Sequence, residues 1–228
     1  MQEIKNVVLI NGSPKMSLTS ASNFLNNFGE GFMRSETLQI SRVNVRSSLT
    51  HKTWDKDFEV MLKADALVFT FPLYIFCLPG MMMGFLQDYD AFLSKNNHSS
   101  RKAKTYAIVN CGFPEAGINS DAVEIIRCFS KRIGADFRFG ILLGGGGMLV
   151  EDTKDAPFMK KTFTALEGGF RLMAQDIQDS LTGPLENISI EISFPRKLYL
   201  FMGDRGWFSM ARKNGLKKKQ IYAQPYIS

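Results

Sequence analysis

Short apolar runs alternate with longer amphipathic ones over most of this chain, and that rhythm constrains its fold more than any other feature. Residues 4–10 read as a buried strand and 38–45 as a more exposed one. Residues 66–71, 105–110 and 137–143 read as three more strands. Between them, residues 20–33, 58–64, 80–93, 121–133 and 158–180 carry helical patterns, the fourth ending near Gly134. Strands joined through helices are parallel, with helices covering both faces of the sheet. Five strands in this rhythm predict an α/β fold, a doubly wound parallel sheet of order 2-1-3-4-5. The 228 residues suffice for one domain with a large core.

Such a sheet places ligands beyond the carboxyl ends of its strands, beside strands 1 and 3, where the winding reverses. Three loops are then candidates. The first, Asn11 to Thr19 (NGSPKMSLT), joins the first strand to a helix capped by Thr19 or Ser20. The free N–H groups and dipole of that helix favour an anion, Ser13, Ser17 and Thr19 add hydroxyls, and Lys15 adds a positive charge. The loop is neither G-x-x-x-x-G-K-S/T nor G-x-G-x-x-G, which argues against a triphosphatase or a dinucleotide turn and leaves one terminal phosphate.

The second loop, Phe71 to Gly80 (FPLYIFCLPG), is apolar where a loop is normally polar. Pro72 and Pro79 stiffen it, and it suits a flat apolar ring; Tyr74 and Phe76 are candidates for a stacking wall. The third loop, Asn110 to Gly117, offers Gly112 for close approach and Phe113 to shield a ring. Glu115 reads chiefly as a solvated carboxylate. Cys111 reads as a buried thiol rather than a redox one, because no basic neighbour in sequence lowers its pKa. The glycine run 144–147 follows a strand expected at the sheet edge, away from the winding reversal, and receives no function.

Composition removes several alternatives. Three dispersed cysteines and no C-x-x-C argue against a disulfide framework or a metal site, and two histidines in polar surroundings give a Ser-His-Asp hydrolase little support. The N-terminus lacks the pattern of a secretory signal, so the expected location is cytoplasmic. Net charge is +6 but uneven: from Arg196 onward eight Lys or Arg face one acid, Asp204, while the preceding residues carry 20 basic and 21 acidic side chains. Residues 1–183 are therefore read as the domain and 184–228 as a basic, aromatic extension packed on it, with 188–194 a candidate extra strand. Gly203, Asp204 and Gly206 are expected to interrupt a long helix. The plain reading of the extension is docking with a solvated basic face. Contact with a membrane surface is the lesser reading, and nucleic-acid binding has no recognised module behind it.

Taken together, Gly12-Ser13-Pro14 with Ser17 and Thr19, then Pro72-Leu73-Tyr74 followed by Leu78-Pro79-Gly80, then Asn110-Cys111-Gly112-Phe113, resemble the flavodoxin-like NAD(P)H-dependent FMN reductases over roughly residues 4–180. The resemblance implies an FMN-dependent oxidoreductase that passes electrons from NAD(P)H, by ping-pong chemistry, to a small quinone, nitro, azo or flavin-like acceptor. The flavin carries the chemistry and no side chain is catalytic. It implies that Ser13, Lys15, Ser17, Leu18 and Thr19 surround the FMN phosphate, and that Pro72, Leu73, Tyr74, Ile75, Phe76, Asn110, Cys111, Gly112 and Phe113 hold the ring. Leu18 departs from the Asn or Ser common in the family, and no lysine stands near Met83 or Gly84 ahead of Asp88. A homodimer is expected from the resemblance and from the apolar stretch 71–86. The alternatives are a flavodoxin-like electron carrier, disfavoured by a body that is not acidic, and a flavin-free binding protein on the same scaffold.

Overall fold

The structure is a computed structural model that describes residues 3–15, 20–96, 103–149, 153–179 and 181–224. Within it the chain forms two compact units, 1–192 and 193–228. The larger unit is built on a parallel sheet: β1 (Lys5–Asn11), β2 (Leu38–Asn44), β3 (Ala66–Pro72), β4 (Lys104–Asn110), β5 (Asp136–Leu143) and β6 (Ile188–Ile190), in the order β2-β1-β3-β4-β5-β6. The doubly wound α/β fold is as the sequence implies, but the sheet has six strands rather than five. Ile141 pairs with Ile188 and Leu143 with Ile190, so β5 is interior and β6 forms the edge. The strand is short, yet it extends the core through buried Ile190 and half-buried Ile188.

Burial follows the apolar pattern. β3 and β4 are buried almost throughout, as strands covered on both faces must be, whereas β2, at the sheet edge, buries only Leu38 and Val43. Helices α1 (Ala21–Met33) and α6 (Lys160–Asp179) pack together on one face, where Phe24 meets Phe163 edge to face at 5.9 Å. The other face carries α2 (Val45–His51), α3 (Trp54–Leu62), α4 (Gly80–Lys95) and α5 (Ser120–Arg132). There Phe58, Phe69, Phe85, Tyr89 and Ile126 belong to one buried cluster. The residues expected to form a single short helix at 58–64 instead lie largely in α3, preceded by a separate α2. Asn44 caps α2 by accepting from the Ser47 N–H at 2.9 Å, and Lys52 ends it in the left-handed region.

The smaller unit consists of α7 (Arg196–Lys213) and a 3-10 turn at Lys218–Tyr222. Helix α7 runs unbroken through Gly203 and Gly206, contrary to expectation. Each glycine weakens a helix interior by only about 1 kcal/mol, too little to stop it where the flanking residues favour helix. Among the described residues no helix is long and apolar enough to cross a membrane.

Candidate functional site

The winding reversal lies between β1 and β3, and there the chain encloses a cleft of ≈ 330 Å³. Eight of the residues singled out from the sequence line it: Ser13, Lys15, Pro72, Leu73, Tyr74, Asn110, Cys111 and Gly112. Larger depressions of ≈ 670 and ≈ 570 Å³ elsewhere in this unit gather none of these strand ends.

The first loop is held by its own backbone and by asparagines. Gly12 N–H donates to the Thr70 carbonyl at 2.8 Å, tying the loop to β3, and Ser13 N–H donates to Asn11 Oδ1 at 2.9 Å. That second bond is an Asx turn, the local device by which asparagine reverses a chain. Lys15 N–H donates to Ser13 Oγ at 3.3 Å, so the Ser13 hydroxyl proton is left to point elsewhere. Ser20 caps α1, accepting from the Asn23 N–H at 3.3 Å, and Ser20, Ala21 and Ser22 bring the first turn of the helix to the cleft. Asn11 also donates to Asn23 Oδ1, and the Arg46 guanidinium donates to the Pro14 carbonyl. One end of the cleft therefore combines hydroxyls, a lysine and a helix N-terminus, a donor set matched to an anion. Ser17, Leu18 and Thr19, expected around the phosphate, lie outside the described residues.

The second loop turns sharply. Tyr74 and Cys77 exchange backbone hydrogen bonds at 2.9 and 3.0 Å, and between them Ile75 and Phe76 both adopt left-handed backbone, with φ of 50° and 58°. Two such residues in succession make a type I′ turn, whose usual occupants are Asn and Gly. The turn carries Ile75, 93% exposed, and Phe76, 57% exposed, away from the cleft lining. Expectation and structure differ here: Pro72 to Tyr74 face the cavity, while Ile75 and Phe76 stand outside it. Phe113 is exposed and likewise absent from the lining.

Asn110 is the hinge between walls. Its side-chain amide donates to Ser22 Oγ at 3.1 Å and to the Phe71 carbonyl at 3.2 Å, joining α1, β3 and β4. Cys111 is buried, its thiol donating to the Phe113 carbonyl at 3.4 Å, and burial pushes its pKa up. It is a packed thiol rather than a thiolate, as the sequence suggests.

A fourth wall was missed. Gly146 and Gly147 line the cleft, held by Gly146 N–H donating to the Cys111 carbonyl and Gly145 N–H to the Phe113 carbonyl, both at 2.6 Å. A Cβ at Gly144 would lie 2.0 Å from the Pro114 carbonyl oxygen and one at Gly146 2.9 Å from Asn110 Oδ1, so these two positions pack too closely for a side chain, whereas a Cβ at Gly147 would meet nothing within 4 Å. The run 144–147 reaches the cleft because these bonds fold it back over the loop that follows β4. The signal available in the sequence was the glycine run itself, directly after a strand. Ser20, Ala21 and Ser22 were missed as lining, although the cap at Ser20 was foreseen.

No protein-family model matches this chain, and no curated protein matches its sequence. Solved structures do match in shape. An NADH:FMN oxidoreductase in its apo form superposes with a TM-score of 0.54 at 16% identity, over 85% of this chain and 98% of that one. An FMN-dependent NADH-azoreductase from Bacillus anthracis str. Ames Ancestor, in complex with FMN, gives 0.55 at 11%, over 75% and 100%. An NAD(P)H:quinone oxidoreductase from Methanothermobacter marburgensis gives 0.53 at 12%, over 80% and 98%. At such identities the likeness concerns architecture, and the chain adopts the flavodoxin-like α/β fold that those oxidoreductases share.

Proposed function

We propose that this protein is an FMN-dependent oxidoreductase that takes electrons from NAD(P)H and delivers them to a small acceptor of the quinone, nitro or azo type. The observation that carries the proposal is a cleft at the winding reversal of the sheet, lined by Ser13, Lys15 and the first turn of α1 and by Pro72, Leu73 and Tyr74. The names of the fold neighbours, an FMN-dependent NADH-azoreductase and an NAD(P)H:quinone oxidoreductase among them, support the same chemistry.

The residues present fit FMN. Ser13, Lys15 and the first turn of α1 would hold its phosphate; Pro72, Leu73, Tyr74 and the backbone at Gly112, Gly146 and Gly147 would hold its ring. The bare glycine wall suits a ligand whose ring edge hydrogen-bonds to backbone groups. When bound, the flavin supplies hydride acceptance and onward electron transfer, and the chain supplies position and surroundings. Tyr74, 44% exposed, stands where the cleft meets solvent, and donor and acceptor are assigned in turn to that mouth. Cys111 is assigned no chemical step: burial pushes its thiol pKa up, away from a thiolate nucleophile. The apolar tips Ile75, Phe76 and Phe113 around the mouth are the surface we assign to a second copy in a homodimer.

The test is direct. Purified protein is denatured and the released chromophore identified, and the loaded protein is mixed anaerobically with NADH or NADPH. FMN in near-equal amount to chain, and loss of its absorbance on mixing, is the expected result. Lys15→Gln and Ser13→Ala together should weaken FMN binding by roughly ten- to a hundredfold, the worth of losing charge-assisted bonds to phosphate. Unchanged FMN affinity in a folded double variant would mean that the phosphate sits elsewhere.

A further inference from the structure

We infer that the C-terminal unit is a docking device for an anionic lipid surface. Residues 193–228 hold eight Lys or Arg against Asp204 alone, a net +7, whereas the preceding residues hold 20 basic and 21 acidic side chains and are close to neutral. A segment so charged repels its own copies and attracts anions.

The fold then arranges that charge. Helix α7 ends in a Schellman stop: Leu216 N–H donates to the Ala211 carbonyl at 2.9 Å and Gly215 N–H to the Arg212 carbonyl at 3.0 Å, with Gly215 at φ 74°. This stop folds Lys217 and Lys218 back beside Arg205 and Arg212, around a depression of ≈ 660 Å³. The aromatic rings on this side are already covered by cations. The Arg205 guanidinium lies 5.1 Å from the Phe201 ring centre, and Lys218 Nζ lies 4.4 Å from that of Phe208.

Among the described residues of this unit, nothing covers the opposite side of α7. Leu200, Gly203, Trp207 and Met210 recur at spacings of three and four and form one stripe of α7. Leu200, Trp207 and Met210 are all exposed, Trp207 by 64%, and Ala211 is the one buried residue of the helix. Leu198 and Met202 are exposed too, but on the side of Arg205. A solvated helix does not keep tryptophan, leucine and methionine outward without a cover. An apolar stripe with an aromatic anchor, backed by arginines and lysines, matches a helix lying in the plane of an anionic bilayer. Its stripe would enter the headgroup boundary while its cations reach the lipid phosphates. Charge decides the occupant: a second α7 would meet the same seven excess positive charges, and a neutral partner would leave them unused.

The experiment is co-sedimentation of the full-length protein with vesicles of phosphatidylcholine alone and of phosphatidylcholine mixed equally with phosphatidylglycerol. Binding to the anionic vesicles only, weakening about tenfold or more as salt is raised through the physiological range, is expected. Lys217→Gln, Lys218→Gln and Lys219→Gln together should lower that affinity roughly a hundredfold, at about fivefold per cation near such a surface. Their FMN content should stay unchanged, because none of the three lines the cleft. Brominated lipid should quench the fluorescence of Trp207, and Trp207→Phe should abolish that quenching while Trp54 remains. Equal binding to neutral vesicles, no binding to either, tighter binding to a short RNA than to anionic vesicles, or self-association through Trp207 would each overturn the inference.

Discussion

Ile75 and Phe76 show how far single residues depart from local preference at this site. A β-branched side chain in left-handed backbone crowds its own carbonyl, at about 1–2 kcal/mol per residue. The turn persists because Tyr74 and Cys77 close it with two backbone bonds and because Leu73 N–H is tied to the Asn110 carbonyl at 2.8 Å. Replacing the pair by Ile75→Asn and Phe76→Gly supplies the residues a type I′ turn prefers. The double variant should be about 1 kcal/mol more stable, read as a raised denaturant midpoint at unchanged slope. A lower midpoint would mean that the two side chains are held by contacts that outweigh the strain. The same residues mark a limit of reading by sequence. Pro72, Leu73 and Tyr74 were legible as cleft residues because an apolar run beyond a strand end has one natural place to go. The turn that throws Ile75 and Phe76 outward was not, because no local propensity predicts positive φ at isoleucine.

At the scale of elements, the end of the sheet opposite the cleft is pinned by Asp176 of α6. Its carboxylate is fully buried, accepts from the Tyr106 hydroxyl at 2.7 Å and from Arg138 at 2.8 and 3.0 Å, and pairs with Lys104 at 3.3 Å. Three elements, β4, β5 and α6, meet in this one charge. Burial alone would raise its pKa, but the bonds from Arg138 and Tyr106 and the charges of Lys104 and Arg138 outweigh burial and lower it below the ordinary 3.8. Burial pushes the Tyr106 phenol the other way, so it stays a donor. A depressed carboxylate stabilises the fold above its ordinary pKa, and that contribution is lost as pH falls through the lower, folded-state value. Asp176→Asn should therefore cost about 3–5 kcal/mol at neutral pH, because it removes the buried charge that faces both Arg138 and Lys104, and the gap from the parent should close as pH falls below 3.8. A gap constant into acid would mean that the group is not ionised in the fold. The cluster was legible only in part: Asp176 falls among the buried positions of α6, between Met173, Ala174 and Ile177, where a charge must have a partner. Which residues those partners are follows from strand register, Tyr106 opposite Phe139, and the β-bulge at Thr105/Tyr106 makes that register hard to read from one sequence.

For the molecule as a whole, the sixth strand decides where the folded body ends. The alternation of apolar runs made β1 to β5 readable, because each is long enough to announce itself. β6 has three residues and lies beyond Gly183-Pro184, where the composition shifts, so the body was expected to stop at 183. The contacts of the following residues argue for 192. Ile190 and Ile192 are 3% and 6% exposed, and Ile192 packs on the backbone of Gly145. The Ile190 carbonyl accepts from Gly144 N–H at 3.0 Å, and Asn187 Oδ1 accepts from Gly140 N–H at 2.7 Å. Residues 187–192 thus cover the edge of β5 and hold the glycine wall of the cleft from behind. Removing them forfeits about 2 kcal/mol for each of the two buried isoleucines, Ile190 and Ile192, and about 1–2 kcal/mol for each of the two orphaned backbone bonds. The total, about 6–8 kcal/mol, rivals the whole stability of an ordinary domain. A chain ending at 192 should fold with the parent's cooperative transition and bind FMN with the parent's affinity. A chain ending at 183 should be largely unfolded or aggregated at room temperature, its β5 edge open to pairing with other chains. Circular dichroism melts and size-exclusion profiles of the two truncations decide the matter. Equal stability of both would make β6 an ornament, and would return the glycine run to the status of an ordinary surface loop.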